Sequence, residues 1–151
     1  MSYKVDFHIH SYFSDGTMKP TDIVRYYKDN EYDMISITDH DGIDGLNEAI
    51  IAGEALKISV IPGIEFSVSE KDEIELHLLG YYFDVYNQNL NEKLKDINEN
   101  RNDRNVRLLK VLHDMGYELT VEDLIQRPNQ RYIGKPNFAM ALKKRGYINN
   151  L

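Results

Sequence analysis

The sequence predicts an α/β protein whose second half turns all-helical. Three observations carry this. Strand-like and helix-like patterns alternate through the first half. A long amphipathic stretch with helical periodicity follows. Histidines and acids collect where the strands end, which is where α/β sheets gather their sites.

The elements follow in order. "YKVDFHIH" alternates, so Val5, Phe7 and Ile9 are expected on one face and Asp6, His8 and His10 on the other. Ser14-Asp15-Gly16 makes a turn. "KPTDIVRYYKDN" reads as a helix with Thr21 as its N-cap and Ile23, Val24 and Tyr27 as its apolar stripe. "YDMISITDH" is a strand rich in β-branched residues. "DGLNEAIIAGEALK" is a second helix, with Asp44 as its cap. "ISVIPGIEFSVS" is a third strand region and "EIELHLLGYYFD" a fourth. The link between these two is too short for a crossover helix, so an antiparallel pair is expected.

From Asn89 to Tyr117 the pattern is one long helix, with Leu90, Leu94, Ile97, Arg101 and Arg104 on one side and Gly116 at its end. "TVEDLIQR" starts another helix, where Thr120 and Asp123 have the spacing of a capping box. "KPNFAMALKKRGY" is a third, with Pro136 early and Gly146 at its end. A boundary is expected near Asn87–Asn91.

Composition narrows the chemistry. The chain has 151 residues, 42% hydrophobic and 28% charged, within the usual range for a globular protein. A formal charge of −7 argues against unspecific binding to nucleic acid through a basic surface. Cysteine is absent, so disulfides, thiolate metal sites and thiol nucleophiles are excluded. Any metal must be held by nitrogen and oxygen. No apolar run reaches the ~18 residues of a membrane span. "MSYKVDFHIH" lacks the charged start and apolar core of a signal peptide, so a cytoplasmic protein is expected.

Four of the five histidines lie in or at the ends of predicted strands. His8 and His10 close the first strand and Asp15 follows in the turn. Asp39 and His40 end the second, with Asp41 and Gly42 after them. Glu65 follows Pro62-Gly63, and His77 lies in the fourth. Side chains at i and i+2 of a strand share a face, with backbones about 6–7 Å apart, so two imidazoles can chelate one cation. Each carries a lone pair near neutral pH, because the free pKa is about 6.5. Singly, each residue has a plainer reading: a surface His-x-His, a turn-side Glu65, a core His77. Jointly they point to a cation site. His113, in the long helix, stands apart.

The motifs "DFHIHSYFSDG", "ITDHDGIDG", "PGIEFS" and "ELHLLGYYFD", in this order, resemble those of the PHP (polymerase and histidinol phosphatase) family. "NRNDRNVRLLKVLHDMGYELTVEDL" and "GKPNFAMALKKRGY" resemble the helical insertion of its stand-alone phosphoesterases. The resemblance implies a partial distorted (β/α) barrel, residues 1–88, with an inserted all-helical subdomain, residues 89–151. It implies two or three divalent ions, zinc, manganese or iron. His8, His10 and Glu65 would hold the first, Glu65 and His77 the second, Asp15 and His40 the third. Water on these ions would be deprotonated and attack a phosphomonoester, often of a nucleotide. Arg101 and Arg104 would face the phosphate, although residues so placed also suit a solvated helix face. Asp41 would assist protonation, or serve only the turn.

The resemblance also sets a limit. Relatives supply further ligands later in the chain, a middle-strand histidine and a final Asp-x-His, for which no residue here qualifies. Asn137 stands where relatives often have histidine. The expectation is the N-terminal portion of a phosphoesterase, with weak metal retention and little turnover alone. Self-association or a complementing C-terminal segment would then be its partner. The alternative is a non-catalytic PHP module, or an inactive fragment, acting through partner binding.

Overall fold

The computed structural model describes residues 2–70, 74–128 and 130–150. They divide into two compact units, residues 1–94 and 95–151.

The first unit opens with β1 (Val5–Ile9), α1 (Pro20–Asp29), β2 (Met34–Ile37), α2 (Leu46–Leu56) and β3 (Ser59–Val60). The three strands pair in parallel in the order β1-β2-β3. The helical connections are the crossovers that parallel pairing requires. Ile9, Ile35 and Ile37 from the sheet pack on Ile23 and Val24 of α1 and on Leu46, Ala49 and Ala52 of α2. These apolar residues alternate with period 2 in the strands and about 3.6 in the helices, so one hydrophobic layer forms between sheet and helices.

β4 (Gly63–Glu70) and β5 (Ile74–Tyr81) form a separate antiparallel ribbon. The expected third strand region is therefore two elements, broken at Ile61-Pro62, and the expected antiparallel pair is present. Glu73, which opens the fourth strand in the sequence reading, lies outside the described residues. The ribbon joins the parallel sheet through a bridge between His40 and Glu65. There Glu65 N donates to Asp39 O at 3.2 Å and Asp41 N to Glu65 O at 2.9 Å. Gly63 permits this approach: a Cβ at that position would overlap Ser36 Oγ and Thr38 Cγ2. The α/β class is thus borne out, as three parallel strands and a two-stranded ribbon among the described residues.

Three local expectations are corrected. Thr21 does not cap α1. Lys19 is the N-cap and Pro20 takes the first helical position, where its missing N–H costs nothing. Thr21 N and Oγ1 instead donate to Glu48 Oε1 of α2, at 3.0 and 2.7 Å. Asp44 is likewise not the cap of α2, which begins after Gly45. The alternation expected in β1 is also broken. Its register against β2 runs Val5↔Met34 and Asp6↔Ile35, then Ile9↔Ile37, so β1 holds one residue more than its partner. Asp6 accepts a hydrogen bond from Tyr27 of α1 at 2.7 Å, while Phe7 lies against the Tyr81 ring.

α3 (Gln88–Asp114) runs from the first unit into the second, which also holds α4 (Val121–Leu124) and α5 (Lys135–Lys144). Leu119, Leu124, Ile133, Phe138 and Ala141 form the core of the second unit. Gly116, at φ 91°, ends α3 as expected: Gly116 N donates to His113 O and Tyr117 N to Leu112 O, closing a left-handed helix end. The Thr120–Asp123 capping box is formed.

Candidate metal centre

Glu65 is the hub. Its side chain is only 4% exposed and touches imidazoles from three other segments. Oε2 lies 2.9 Å from His8 Nε2, 2.9 Å from His10 Nε2 and 3.6 Å from His40 Nδ1. Oε1 lies 2.9 Å from His77 Nδ1. The rings run in sequence, His8–His10–His40–His77, with centroids 5.1, 4.6 and 5.0 Å apart. Asp15 joins from the turn, 3.1 Å from His10 Nδ1 and 3.5 Å from His40 Nε2.

Each contact has a local cause. His8 and His10 stay on one face because the surplus residue of β1 does not come between them. His40 lies three residues beyond β2 and meets Glu65 through the backbone bridge. Ser67 lies opposite His77 in the ribbon, so His77 stands diagonally from Glu65 on the same face. Gly16 lets the turn fold back over the end of β1, since a Cβ there would overlap the His10 carbonyl. Ser11 and Ser14 hold this turn on the buried Asp39 carboxylate, which accepts from Ser11 N at 2.7 Å and from both hydroxyls.

The charges are coupled. Burial disfavours the His10 imidazolium, but the hydrogen bond to Asp15 and the charges of Asp15, Glu65 and Asp39 outweigh it and raise its pKa above 6.5. Hydrogen bonds from His10 and His40 hold the Asp15 carboxyl far below the usual carboxylate range. Burial raises the Glu65 pKa, yet His8, His40 and His10 together lower it. Such stabilisation of anions by surrounding imidazoles is also what a cation would provide.

The donor set fits divalent metal. Three groups have ligand atoms within 4.8 Å of one another: His8–His10–Glu65, His10–Asp15–His40 and His40–Glu65–His77. Imidazole with carboxylate suits zinc, manganese or iron. The structure thus brings together all six residues named from the sequence as metal ligands. Sequence reasoning missed Ser11, Ser14 and Asp39; the only signal was that the two serines flank Asp15's turn and that Asp39 adjoins His40.

Asp41 is fully buried, at φ 47°, and its Oδ1 accepts from Ser67 N at 2.8 Å. Arg101 and Arg104 belong to the second unit. Arg101 is 8% exposed and stacks 4.6 Å over the Tyr132 ring. Burial lowers its pKa, Tyr132 opposes this, and the neighbouring Arg104 adds to it. Arg104 donates to Asn105 Oδ1 at 3.1 Å. Asn137 is committed to structure: Oδ1 accepts from Gly134 N and Nδ2 donates to Leu124 O.

The first unit thus gathers imidazoles and carboxylates around one buried glutamate. Residues 6–144 match the PHP domain, and the chain belongs to that family. A 3',5'-nucleoside bisphosphate phosphatase of Chromobacterium violaceum is 28% identical over 148 residues, covering 97% of this chain and 52% of the relative. A 5'-3' exoribonuclease of Haemophilus influenzae is 36% identical over 84 residues, covering 56% of this chain and 30% of the relative. A solved structure from Bifidobacterium adolescentis, assigned as a metal-dependent phosphoesterase, aligns with TM-score 0.84 and 26% identity over 99% of this chain and 52% of that one. The chain therefore spans about half the length of that phosphatase and of that structure, and less of the exoribonuclease. No helix of the described residues is long and apolar enough to cross a membrane.

Proposed function

We propose that this chain carries the metal-binding rim of a phosphoesterase that hydrolyses phosphomonoesters, those of nucleotides foremost. The observation that carries it is the buried Glu65 carboxylate in contact with four imidazoles. His8, His10 and Glu65 would hold one divalent ion, and Glu65, His40 and His77 a second. Asp15 and His40 make room for a third, with His40 serving one ion at a time. Bound there, the ions supply a water acidic enough to act as nucleophile near neutral pH and offset charge on the phosphate.

The protein's own groups do the rest. Glu65, with Oε2 toward His8 and His10 and Oε1 toward His77, would contribute to both of the first two ion positions. Asp15 and Glu65 stay ionised, so the rim offers anionic donors without first shedding protons. Guanidinium groups such as those of Arg101 and Arg104 suit phosphate oxygens through paired N–H groups. Asp41, fully buried and bonded to Ser67 N, serves the turn that joins His40 to the ribbon rather than protonation at the leaving group. The nucleotide preference leans on the names of the two bacterial relatives. An open depression of about 250 Å³ lies beside His10, lined by Ile9, Met18, Ile23, Tyr26 and Tyr27.

Two or three donors per ion fall short of the four that tight sites use. A complementing segment or a second copy would add the others. The ribbon face opposite His77 leaves Val68, Leu76 and Leu78 exposed, which gives such a partner an apolar surface.

The test is metal content of the purified chain beside His8→Ala, with a phosphatase assay on a phosphomonoester in manganese. Uptake lost in the variant, with slow turnover by the chain alone, is expected. No uptake by the unaltered chain would overturn the reading. Robust turnover would mean that these six donors suffice.

A further inference from the structure

The irregularity in β1 leaves one peptide unit in need of partners. The register with β2 holds at Asp6 and resumes at Ile9, so the Phe7–His8 peptide lies within the irregular stretch. Backbone groups displaced from a ladder need other partners. Side chains supply them at both ends of this peptide. The Tyr81 hydroxyl donates to Phe7 O at 2.6 Å, and His8 N donates to Asp6 Oδ1 at 3.2 Å. Resting on the metal-site reading above, we propose that Tyr81 and Asp6 are positioning residues that clamp the Phe7–His8 peptide and so aim His8 at the ion shared with His10 and Glu65.

The clamp is anchored on two different elements. Asp6 is itself held, because its Oδ2 accepts from the Tyr27 hydroxyl of α1 at 2.7 Å. Tyr81 closes β5. Its register opposite Gly63 puts it on the ribbon face that carries Glu65 and His77, since residues two apart share a face. Its ring also lies against that of Phe7, with centroids 6.1 Å apart. Among the described residues, β1 pairs with β2 and the ribbon strands pair with each other, so no ladder sets the distance from β1 to the ribbon. The Tyr81 bond crosses that gap.

His8 needs such support more than His10 does. The His8 side chain is 50% exposed, so packing does little to fix the imidazole, and the backbone beneath it must. A turn of the Phe7–His8 peptide plane would swing the His8 side chain and break its 2.9 Å contact with Glu65. His10 is braced independently, by Asp15 at 3.1 Å and by Ser14 at 3.3 Å.

The experiment titrates zinc into the full chain labelled with ¹⁵N-histidine, where the ring nitrogen signals report which imidazoles ligate. His8 and His10 should both respond in the unaltered chain. Tyr81→Phe keeps the ring and removes the hydroxyl. There His8 should stay unshifted at zinc levels that still shift His10, and affinity at the His8 position should fall about 10- to 100-fold. Asp6→Ala should behave alike. Asp6→Asn should bind as the unaltered chain does, because its amide oxygen still accepts from His8 N and its amide nitrogen can donate to Tyr27. A His8 response unchanged in Tyr81→Phe and Asp6→Ala overturns the proposal. So does an equal loss at His8 and His10, which would mark general loosening. Asp6→Asn falling as far as Asp6→Ala would show that charge acts and not the clamp. If no imidazole of the unaltered chain responds to zinc, the metal-site reading fails instead. The Phe7 carbonyl ¹³C signal of the metal-free chain then decides the clamp: moved by Tyr81→Phe it stands, unmoved it falls.

Discussion

Glu65→Gln separates a shared anchor from six independent ligands. Glu65 belongs to two of the three donor groups, so one substitution strikes two ion positions, whereas Asp15→Asn strikes one. A ligand at 100 times its dissociation constant stabilises the folded state by about 2.7 kcal/mol. For a unit of this size, 1 kcal/mol moves the melting temperature by about 4–8 °C. One bound ion should therefore raise the transition of the first unit by roughly 10–20 °C. Calorimetry with and without manganese should show that rise in the unaltered chain, most of it in Asp15→Asn, and almost none in Glu65→Gln. The metal-free proteins carry a second signature. The folded-state pKa of Glu65 is lowered, so its ionised form adds stability above the unfolded value of 4.5 and loses it as pH falls through the lower folded value. The unaltered chain should exceed Glu65→Gln in stability at pH 7 and lose that advantage in acid. A Glu65→Gln chain that gains as much from manganese as the unaltered one would refute Glu65 as the common anchor.

Three further outcomes are expected. Gly63→Ala should destabilise the first unit by about 1–3 kcal/mol in urea denaturation, because the new methyl meets Ser36 and Thr38 where the ribbon joins the sheet. Asn137→Ala should cost the second unit about 1–3 kcal/mol by the same assay, as Gly134 N and Leu124 O lose their partner. Asp123 is held at a pKa of about 2 by Arg145 and by the Thr120 N–H, below its ordinary 3.8. Its contribution is full above 3.8 and fades as pH falls through about 2, so Asp123→Asn should be less stable than the unaltered chain at pH 5 and nearly equal to it at pH 2.

Much of this architecture was legible because it is local. Period-2 and period-3.6 patterns gave the alternation of strands and helices. Gly116 and Gly146 marked helix ends, and the Thr120–Asp123 spacing marked a helix start. The six donors could be named because histidines and acids at strand ends have few other reasons to gather. What stayed hidden depends on partners distant in sequence. Thr21 looked like a cap, and only folding brings Glu48 of α2 to its N–H. Ser11 and Ser14 are ordinary turn residues until Asp39, two residues beyond β2, accepts from both of them. The phase of β1 was misjudged because one surplus residue leaves no mark in composition.

That surplus residue makes the rim depend on length as well as on identity. Deleting Phe7, the one position between Asp6 and Ile9 that is not a candidate ligand, would restore an unbroken register with β2 and remove the irregularity beside which His8 turns toward Glu65. Counting spaces between motifs is therefore as informative as matching letters when distant members of the family are compared, and an indel in this short strand would alter function more than many substitutions elsewhere.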